Sequence, residues 1–314
     1  MRLGVTGGAG FIGSHVVDAL AGAGHDVTVI DVRPPQRPDV GYREASVLDA
    51  GELVSATVGM EAIFHLAAVA DVNDVVRDPV GAIDLNIGAT ARVLEAARVS
   101  GVGRVILAST VWVYSSLAPS GTGTVDEGAP LALDANRHLY TSSKIAAEML
   151  CHDYWSMAQL PFTILRYGIP YGPRMRLSLV MPVFVRKALA GEPLTVAGDG
   201  SQYRKFVYVE DLARAHVLAL GERATNQTYN LDGREKITIR RIAETVIRLT
   251  GSPSTIESMP ARSGDYVGED VSSEKARLEL GWQPEIDFEE GMRRTVPWLV
   301  ERLSAERSAA VQNR

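Results

Sequence analysis

Thr6-Gly7-Gly8-Ala9-Gly10-Phe11-Ile12-Gly13-Ser14 follows directly on the apolar stretch Arg2 to Thr6 and runs into a helical pattern from Phe11 to Ala23. The segment satisfies G-x-x-G-x-x-G through Gly7, Gly10 and Gly13, and G-x-G-x-x-G through Gly8, Gly10 and Gly13. A strand before it and a helix after it give the motif a mechanism. Glycines permit the tight turn and close backbone approach, and the helix N-terminus faces a pyrophosphate. The next strand, Asp26 to Asp31, ends on Val29-Ile30-Asp31. This places a carboxylate where it can accept from both ribose hydroxyls of a dinucleotide. Asp31 repels a 2′-phosphate, so NAD is favoured over NADP. Val32 and Arg33 are grouped with the cofactor. Arg33 reads otherwise as a solvated loop residue beside Pro34 and Pro35, or as the cation for a 2′-phosphate if Asp31 turned away.

Outward from the loop, short apolar runs alternate with longer helical patterns, the signature of successive β-α units feeding a parallel sheet. Further strands are expected at Ala62 to Leu66, Arg104 to Ser109 and Phe162 to Tyr167, with helices at Asp84 to Val99 and Leu139 to Met157. After Tyr167, Gly168-Ile169-Pro170-Tyr171-Gly172-Pro173 punctuates the chain, and the later elements are shorter and more mixed. A second lobe therefore begins there. The expected division is 1–168 with a returning segment near 204–232, against 169–203 and 233–303. From about Ser304 to Arg314 the polar, Ala-rich sequence reads as a flexible tail.

The 314 residues, 46% hydrophobic and 22% charged, can bury a sizeable core. With a net charge of -6 and scattered Lys and Arg, nothing marks a nucleic-acid surface. The single cysteine, Cys151, and the lack of clustered metal-ligand spacings suit a reducing cytoplasm and a mechanism with no metal. No signal peptide is read before the first strand, and no stretch is apolar for long enough to span a membrane.

Tyr140-Thr141-Ser142-Ser143-Lys144 carries the chemistry. Residues four apart share a helix face, so the Lys144 ammonium can favour the Tyr140 phenolate. Such a phenol can trade protons with a sugar or alcohol hydroxyl near neutral pH, as hydride chemistry at carbon requires.

Many ordered motifs accompany it: Phe64-His65-Leu66-Ala67-Ala68, Asn86 with Gly88, Ser109-Thr110 with Tyr114, Tyr171-Gly172-Pro173-Arg174, Gly198-Asp199-Gly200 with Arg204, and Arg262 with Gly264-Asp265. With these, nearly the whole chain resembles the extended short-chain dehydrogenase/reductase family, in particular its NAD-dependent nucleotide-sugar epimerases and dehydratases typified by UDP-galactose 4-epimerase. The resemblance implies an α/β fold: a Rossmann-type doubly wound parallel sheet with a smaller α/β C-terminal substrate lobe. It also implies that Tyr140 is the acid/base, that Lys144 holds the nicotinamide ribose, and that Thr110 bonds the reacting sugar oxygen. Thr110 is chosen over Ser109 by register, four residues before Tyr114; Ser109 reads as a backbone-capping hydroxyl. Phe11, Ile12, Leu66, Ala67, Ala68, Asn86, Ala108 and Tyr167 would join Tyr140 and Lys144 around NAD. Ser46, where the family often has an adenine-contacting Asp, and Val47 would lie at the base. Arg204 and Arg262 look like diphosphate clamps, with Asp265 on the nucleotide ribose side, and Ile169, Val180 and Thr195 complete the substrate set. A homodimer pairing the helices at Asp84 to Val99 and Leu139 to Met157 is likewise implied.

Departures from the pattern bear on the reaction. Related 4,6-dehydratases place an Asp-Glu pair after the catalytic Thr, and UDP-glucuronate decarboxylases a Glu two residues after it; here Val111 and Trp112 stand there. The usual Asn before V-Y-G-P is replaced by Ile169-Pro170. What remains suits a 4-epimerase acting on a nucleotide-diphosphate sugar, with a UDP-hexose expected. The alternatives are a ketoreductase, dehydratase or decarboxylase of the same family, or a non-catalytic NAD-binding regulatory protein. Arg174 and Arg176 leave an acidic sugar open.

Overall fold

The structure is a computed structural model describing residues 1–115, 124–131, 138–260 and 270–312. In chain order its elements begin β1 (Arg2–Thr6), α1 (Phe11–Gly22), β2 (Asp26–Asp31), β3 (Gly41–Glu44), α2 (Ala50–Thr57), β4 (Ala62–His65), α3 (Val72–Arg77), α4 (Pro79–Ile83) and α5 (Ala89–Val99). They continue with β5 (Arg104–Thr110), α6 (Leu139–Ala158), β6 (Phe162–Tyr167), β7 (Ile169–Tyr171), α7 (Val180–Ala190), β8 (Leu194–Ala197) and β9 (Tyr203–Tyr208). The last are α8 (Val209–Leu218), β10 (Gln227–Leu231), β11 (Lys236–Thr238), α9 (Ile239–Thr250), β12 (Ile256–Met259), α10 (Glu274–Leu280) and α11 (Phe288–Gln312).

The chain divides into two compact units. The first comprises Met1–Gly168, Glu210–Asp232 and Glu269–Gln283. Its seven strands lie in the order β10-β6-β5-β4-β1-β2-β3, every neighbouring pair parallel. Parallel strands need crossover connections, and the intervening helices cover both faces. That is why β4 and β6 are buried at every residue and read as continuous apolar runs with few polar interruptions. The strand order reverses between β1 and β4, a Rossmann-type arrangement in which ligands bind beyond the C-terminal ends of the strands. Around the sheet, Leu53, Ala89, Val93, Leu94, Ala147, Phe162 and Ile164 belong to one contiguous apolar core.

The second unit comprises Ile169–Val209, Gly233–Gly268 and Pro284–Arg314. It holds a three-stranded sheet, β11-β9-β7, and the parallel pair β12-β8. Helices α7, α9 and α11 pack on one another within it.

Four features differ from the sequence expectation. Asp84–Gly88 is a π-helical turn, so the helix expected from Asp84 becomes α-helical only at Ala89. The segment near 204–232 joins the first unit only from Glu210, and residues 270–283, expected in the second lobe, also belong to the first. Helix α11 continues to Gln312, so most of the expected tail from Ser304 is helical; an Arg302–Glu306 pair one turn apart supports it.

Tertiary contacts draw 270–283 into the first unit. Val271 bridges to Val125, Lys275 donates to Gln227, and fully buried Trp282 donates its indole N–H to the Asp211 carbonyl at 2.8 Å. Trp282→Ala removes both the largest buried ring and this bond. We expect a loss of about 3–5 kcal/mol in urea unfolding, with faster amide exchange concentrated in 270–283.

Candidate active site

Parallel register carries Gly7, Asp31, Leu66, Thr110 and Tyr167 to the C-terminal edge of the first unit's sheet. At Gly7 φ is +71°, and a Cβ there would stand 2.6 Å from the Ala67 backbone nitrogen. At Gly13 a Cβ would meet the Gly7 carbonyl oxygen at 2.1 Å. The loop therefore presses against Leu66–Ala67 at a spacing that only glycines permit. Gly10 starts α1 with no side chain capping it, which leaves the helix N-terminus for an anion. Asp31 is already oriented: one carboxylate oxygen accepts from the Ala9 N–H and the other from the Arg33 N–H, each at 3.1 Å. The Val32 and Arg33 side chains are mostly exposed. Ser46 and Val47 follow β3, the neighbour of β2, with Val47 buried and the Ser46 hydroxyl accepting from the Leu48 N–H. An uncapped helix start, a cradle closed to any Cβ and a carboxylate at the C-terminal end of β2 fit NAD.

Asn86 sits in the π-helical turn, a local widening that often marks functional positions. Its side-chain oxygen accepts from the Val69 N–H, and its amide donates to the Val69 carbonyl and to Ser143 Oγ. The Ser143 hydroxyl donates to the Tyr140 carbonyl. Thr90 donates to the Asn86 carbonyl, and the ring of His65 bridges Thr90 and Thr6. Burial, with the Lys144 charge adding to it, pushes His65 down to about 3.

Tyr140, Lys144 and Glu148 recur on one face of α6. Tyr140 is half-buried. Lys144 is buried and donates to the Ala108 carbonyl at 2.9 Å; burial lowers it to about 8, with Glu148 pulling the other way. The Thr110 oxygen accepts from the Trp112 N–H at 3.2 Å, so its proton remains available to donate elsewhere. Trp112 meets the Tyr140 ring edge-on, with centroids 6.3 Å apart. The Tyr167 hydroxyl lies 2.6 Å from His216 Nε2. His216 Nδ1 faces the Leu212 carbonyl, so the phenol is the donor in that pair.

Ser109 does not cap the backbone, as the sequence suggested. Its hydroxyl donates to Glu148 at 2.5 Å. Arg166 on β6 grips both oxygens of the same carboxylate, with its closest contact at 2.6 Å, and a further N–H reaches the Tyr114 hydroxyl at 2.5 Å. Tyr114 in turn donates to Asn230 on β10. Burial works against the Arg166 charge, but the bonds and charge of Glu148 outweigh it and hold the guanidinium above its ordinary range. Sequence reasoning missed Glu148 and Arg166. Two signals were present: Glu148 falls one turn beyond Lys144, and Arg166 is a lone charge inside an apolar strand run.

In the second unit the expected substrate residues fall on four elements. Ile169 lies on β7 and Val180 opens α7. Thr195 on β8 accepts from Lys187, and Arg204 on β9 donates to the Tyr203 carbonyl. Arg262 and Asp265 lie outside the described residues. Among the described residues no group of His, Cys, Asp and Glu could hold a metal, and no helix is long and apolar enough to cross a membrane.

Residues 3–232 match the NAD dependent epimerase/dehydratase family. The chain is 31% identical to a UDP-N-acetyl-alpha-D-glucosaminuronate decarboxylase of Bacillus cytotoxicus, over 95% of this chain and 97% of that protein. Among solved structures it is similar to UDP-glucose 4-epimerase of Thermotoga maritima with UDP-glucose (TM-score 0.87, 31% identity, 96% of this chain and 100% of that one). It is likewise similar to the Thermus thermophilus UDP-glucose 4-epimerase in complex with NAD (TM-score 0.85, 32% identity, 96% and 99%). With its Rossmann-type sheet, glycine loop and Asp31, the chain belongs to the NAD-dependent epimerase/dehydratase family of sugar-nucleotide enzymes, and its cofactor is NAD.

Proposed function

We propose that this protein is a nucleotide-sugar 4-epimerase acting on a UDP-hexose. The observation that carries the reading is the absence of a disengaged carboxylate beside Thr110 among the described residues. Val111 is buried, Trp112 packs against Tyr140, and both oxygens of Glu148 are engaged by Ser109 and Arg166. Elimination of water needs a further acid and base. Oxidation of a hydroxyl and return of the hydride do not.

Bound NAD supplies a hydride acceptor that can give the hydride back. Gly7, Gly10, Gly13 and Asp31 would hold it, with Lys144 on the nicotinamide ribose. Thr110 donates a hydrogen bond to the sugar C4 oxygen and orients it. Tyr140 takes the C4 hydroxyl proton, with the Lys144 charge favouring its phenolate, and returns that proton once the sugar presents its other face. The second unit would hold the nucleotide, with Arg204 and Arg262 on the diphosphate because a guanidinium offers a planar fork of donors. Two copies would pair through α5 and α6, where Met149 and Met157 are exposed. Sedimentation equilibrium should then give twice the chain mass, and a monomer would remove this pairing from the reading.

The purified protein, given no added cofactor, should interconvert UDP-hexoses differing at C4. Tyr140→Phe should cut kcat by about 10²–10⁴-fold while NAD and UDP-hexose still bind. Stoichiometric consumption of NADH would favour a ketoreductase. Release of CO₂ from a UDP-hexuronate would favour the chemistry of the Bacillus cytotoxicus relative.

Lys144 gives a pH signature. Its folded pKa of about 8 lies below the ordinary value of 10.5, so between these values the unfolded chain holds more protons and stability rises with pH. The benefit is present above the unfolded value and is lost as pH falls through 8. Urea unfolding of wild type should therefore gain on Lys144→Met by about 3 kcal/mol between pH 7 and 10.5, at about 1.4 kcal/mol per unit. Parallel pH curves for the two proteins would contradict the buried ammonium.

A further inference from the structure

Three consecutive residues at the end of β5 face different tasks. Ala108 gives its carbonyl to Lys144, Ser109 gives its hydroxyl proton to Glu148, and Thr110 bears the hydroxyl that the proposed reaction uses. The first two bonds join β5 to the same face of α6, the helix that also carries Tyr140. They restrain different motions. The Lys144 bond ends on the backbone and limits separation of strand and helix. The Ser109 bond ends on a side chain and restrains the roll of the strand end, which beyond Leu107 is paired with β6 but no longer with β4. Successive strand side chains point to opposite faces, so fixing the direction of Ser109 also fixes the direction of Thr110.

The anchor for that tether is stiff. Glu148 is gripped by Arg166, which stands directly opposite Ser109 in the β5–β6 register. Arg166 is itself held by Tyr114, and Tyr114 by Asn230, the register partner of Arg166 on β10. The carboxylate therefore cannot swing to follow a moving strand.

We infer that Ser109 and Glu148 are positioning residues that hold Thr110 at the angle its hydroxyl needs toward the substrate oxygen above Tyr140. The inference rests on the reading in which Thr110 bonds the reacting oxygen. Misplacement of such a group by about 1 Å can cost on the order of 10²-fold in rate.

Ser109→Ala tests it gently, because Glu148 keeps its Arg166 partner and no buried charge is orphaned. In the full chain with its NAD, kcat for UDP-hexose interconversion should fall at least about fivefold, with KM and bound NAD within about twofold of wild type. Ser109→Thr, which restores the hydroxyl, should recover most of the loss. With 13C-methyl threonine labelling, the Thr110 methyl should shift and lose order in Ser109→Ala and regain both in Ser109→Thr. A smaller fall in kcat, loss of bound NAD in step with kcat, or an unmoved Thr110 methyl would each overturn the assignment. If wild type converts no UDP-hexose, the 4-epimerase reading fails, and the Thr110 methyl still decides whether the tether positions it.

Discussion

The Glu148 carboxylate and the Arg166 guanidinium are buried together in the first unit, and much of the site's geometry depends on that pairing. Taking two charges out of water costs several kcal/mol per ion unless each remaining donor and acceptor is met. Here each guanidinium nitrogen has a partner: Nε and Nη2 donate to Glu148 and Nη1 to Tyr114, and Glu148 also takes the Ser109 proton. A pair under that constraint tolerates few geometries, because any slip exposes an unsatisfied charge to a low-dielectric core. It therefore fixes α6 against β5 and β6 more sharply than apolar packing could. Apolar contacts can slide by a fraction of a side chain, and a forked guanidinium on a carboxylate cannot.

A second buried network ties the cofactor loop to the same helix, and its proton directions can be deduced. Thr90 donates to the Asn86 carbonyl, so it must accept from His65 Nε2–H. A ring protonated on Nε2 alone then accepts at Nδ1 from Thr6, whereas a charged ring would donate to it. Burial and the Lys144 charge, which depress the pKa of His65, select the neutral form. On the far side, Asn86 donates to Ser143 and Ser143 to the Tyr140 carbonyl. The residue before Gly7 and the backbone of Tyr140 thus belong to one polar framework that also includes the π-helical turn. Within that turn the Thr90 hydroxyl donates to the Asn86 carbonyl, adding a side-chain partner to a backbone acceptor.

Legibility in the sequence followed the range of the forces involved. β1, β2 and β6 have the bounds expected from their apolar runs, and the expected β4 and β5 differ by a single terminal residue. These elements are set by local pattern and by burial on both faces. The π-helical turn was not legible, because it depends on Asn86 reaching Val69 and Ser143, distant in sequence. The return of 270–283 to the first unit was hidden for the same reason: the Val125–Val271 bridge and the Trp282–Asp211 bond are long-range and carry no motif. In the site, the residues expected to touch ligands come as motifs, whereas Glu148 and Arg166 signal themselves only by a helical spacing and a misplaced charge.

That difference bears on how one scaffold supports several reactions. If the tether from Glu148 through Ser109 sets Thr110, then Thr110, Tyr140 and Lys144 are held independently of what stands at positions 111 and 112. A carboxylate there would add an acid or base to a site already positioned, and the chemistry could change without disturbing the brace. Val111 and Trp112 add none; the Trp112 ring instead makes a T-shaped contact with Tyr140. In the proposed 4-epimerase reading, Tyr140 exchanges the proton, NAD takes and returns the hydride, and no further carboxylate stands free beside Thr110 among the described residues, so a sugar ketone has few exits. Return of the hydride is the one that needs nothing further.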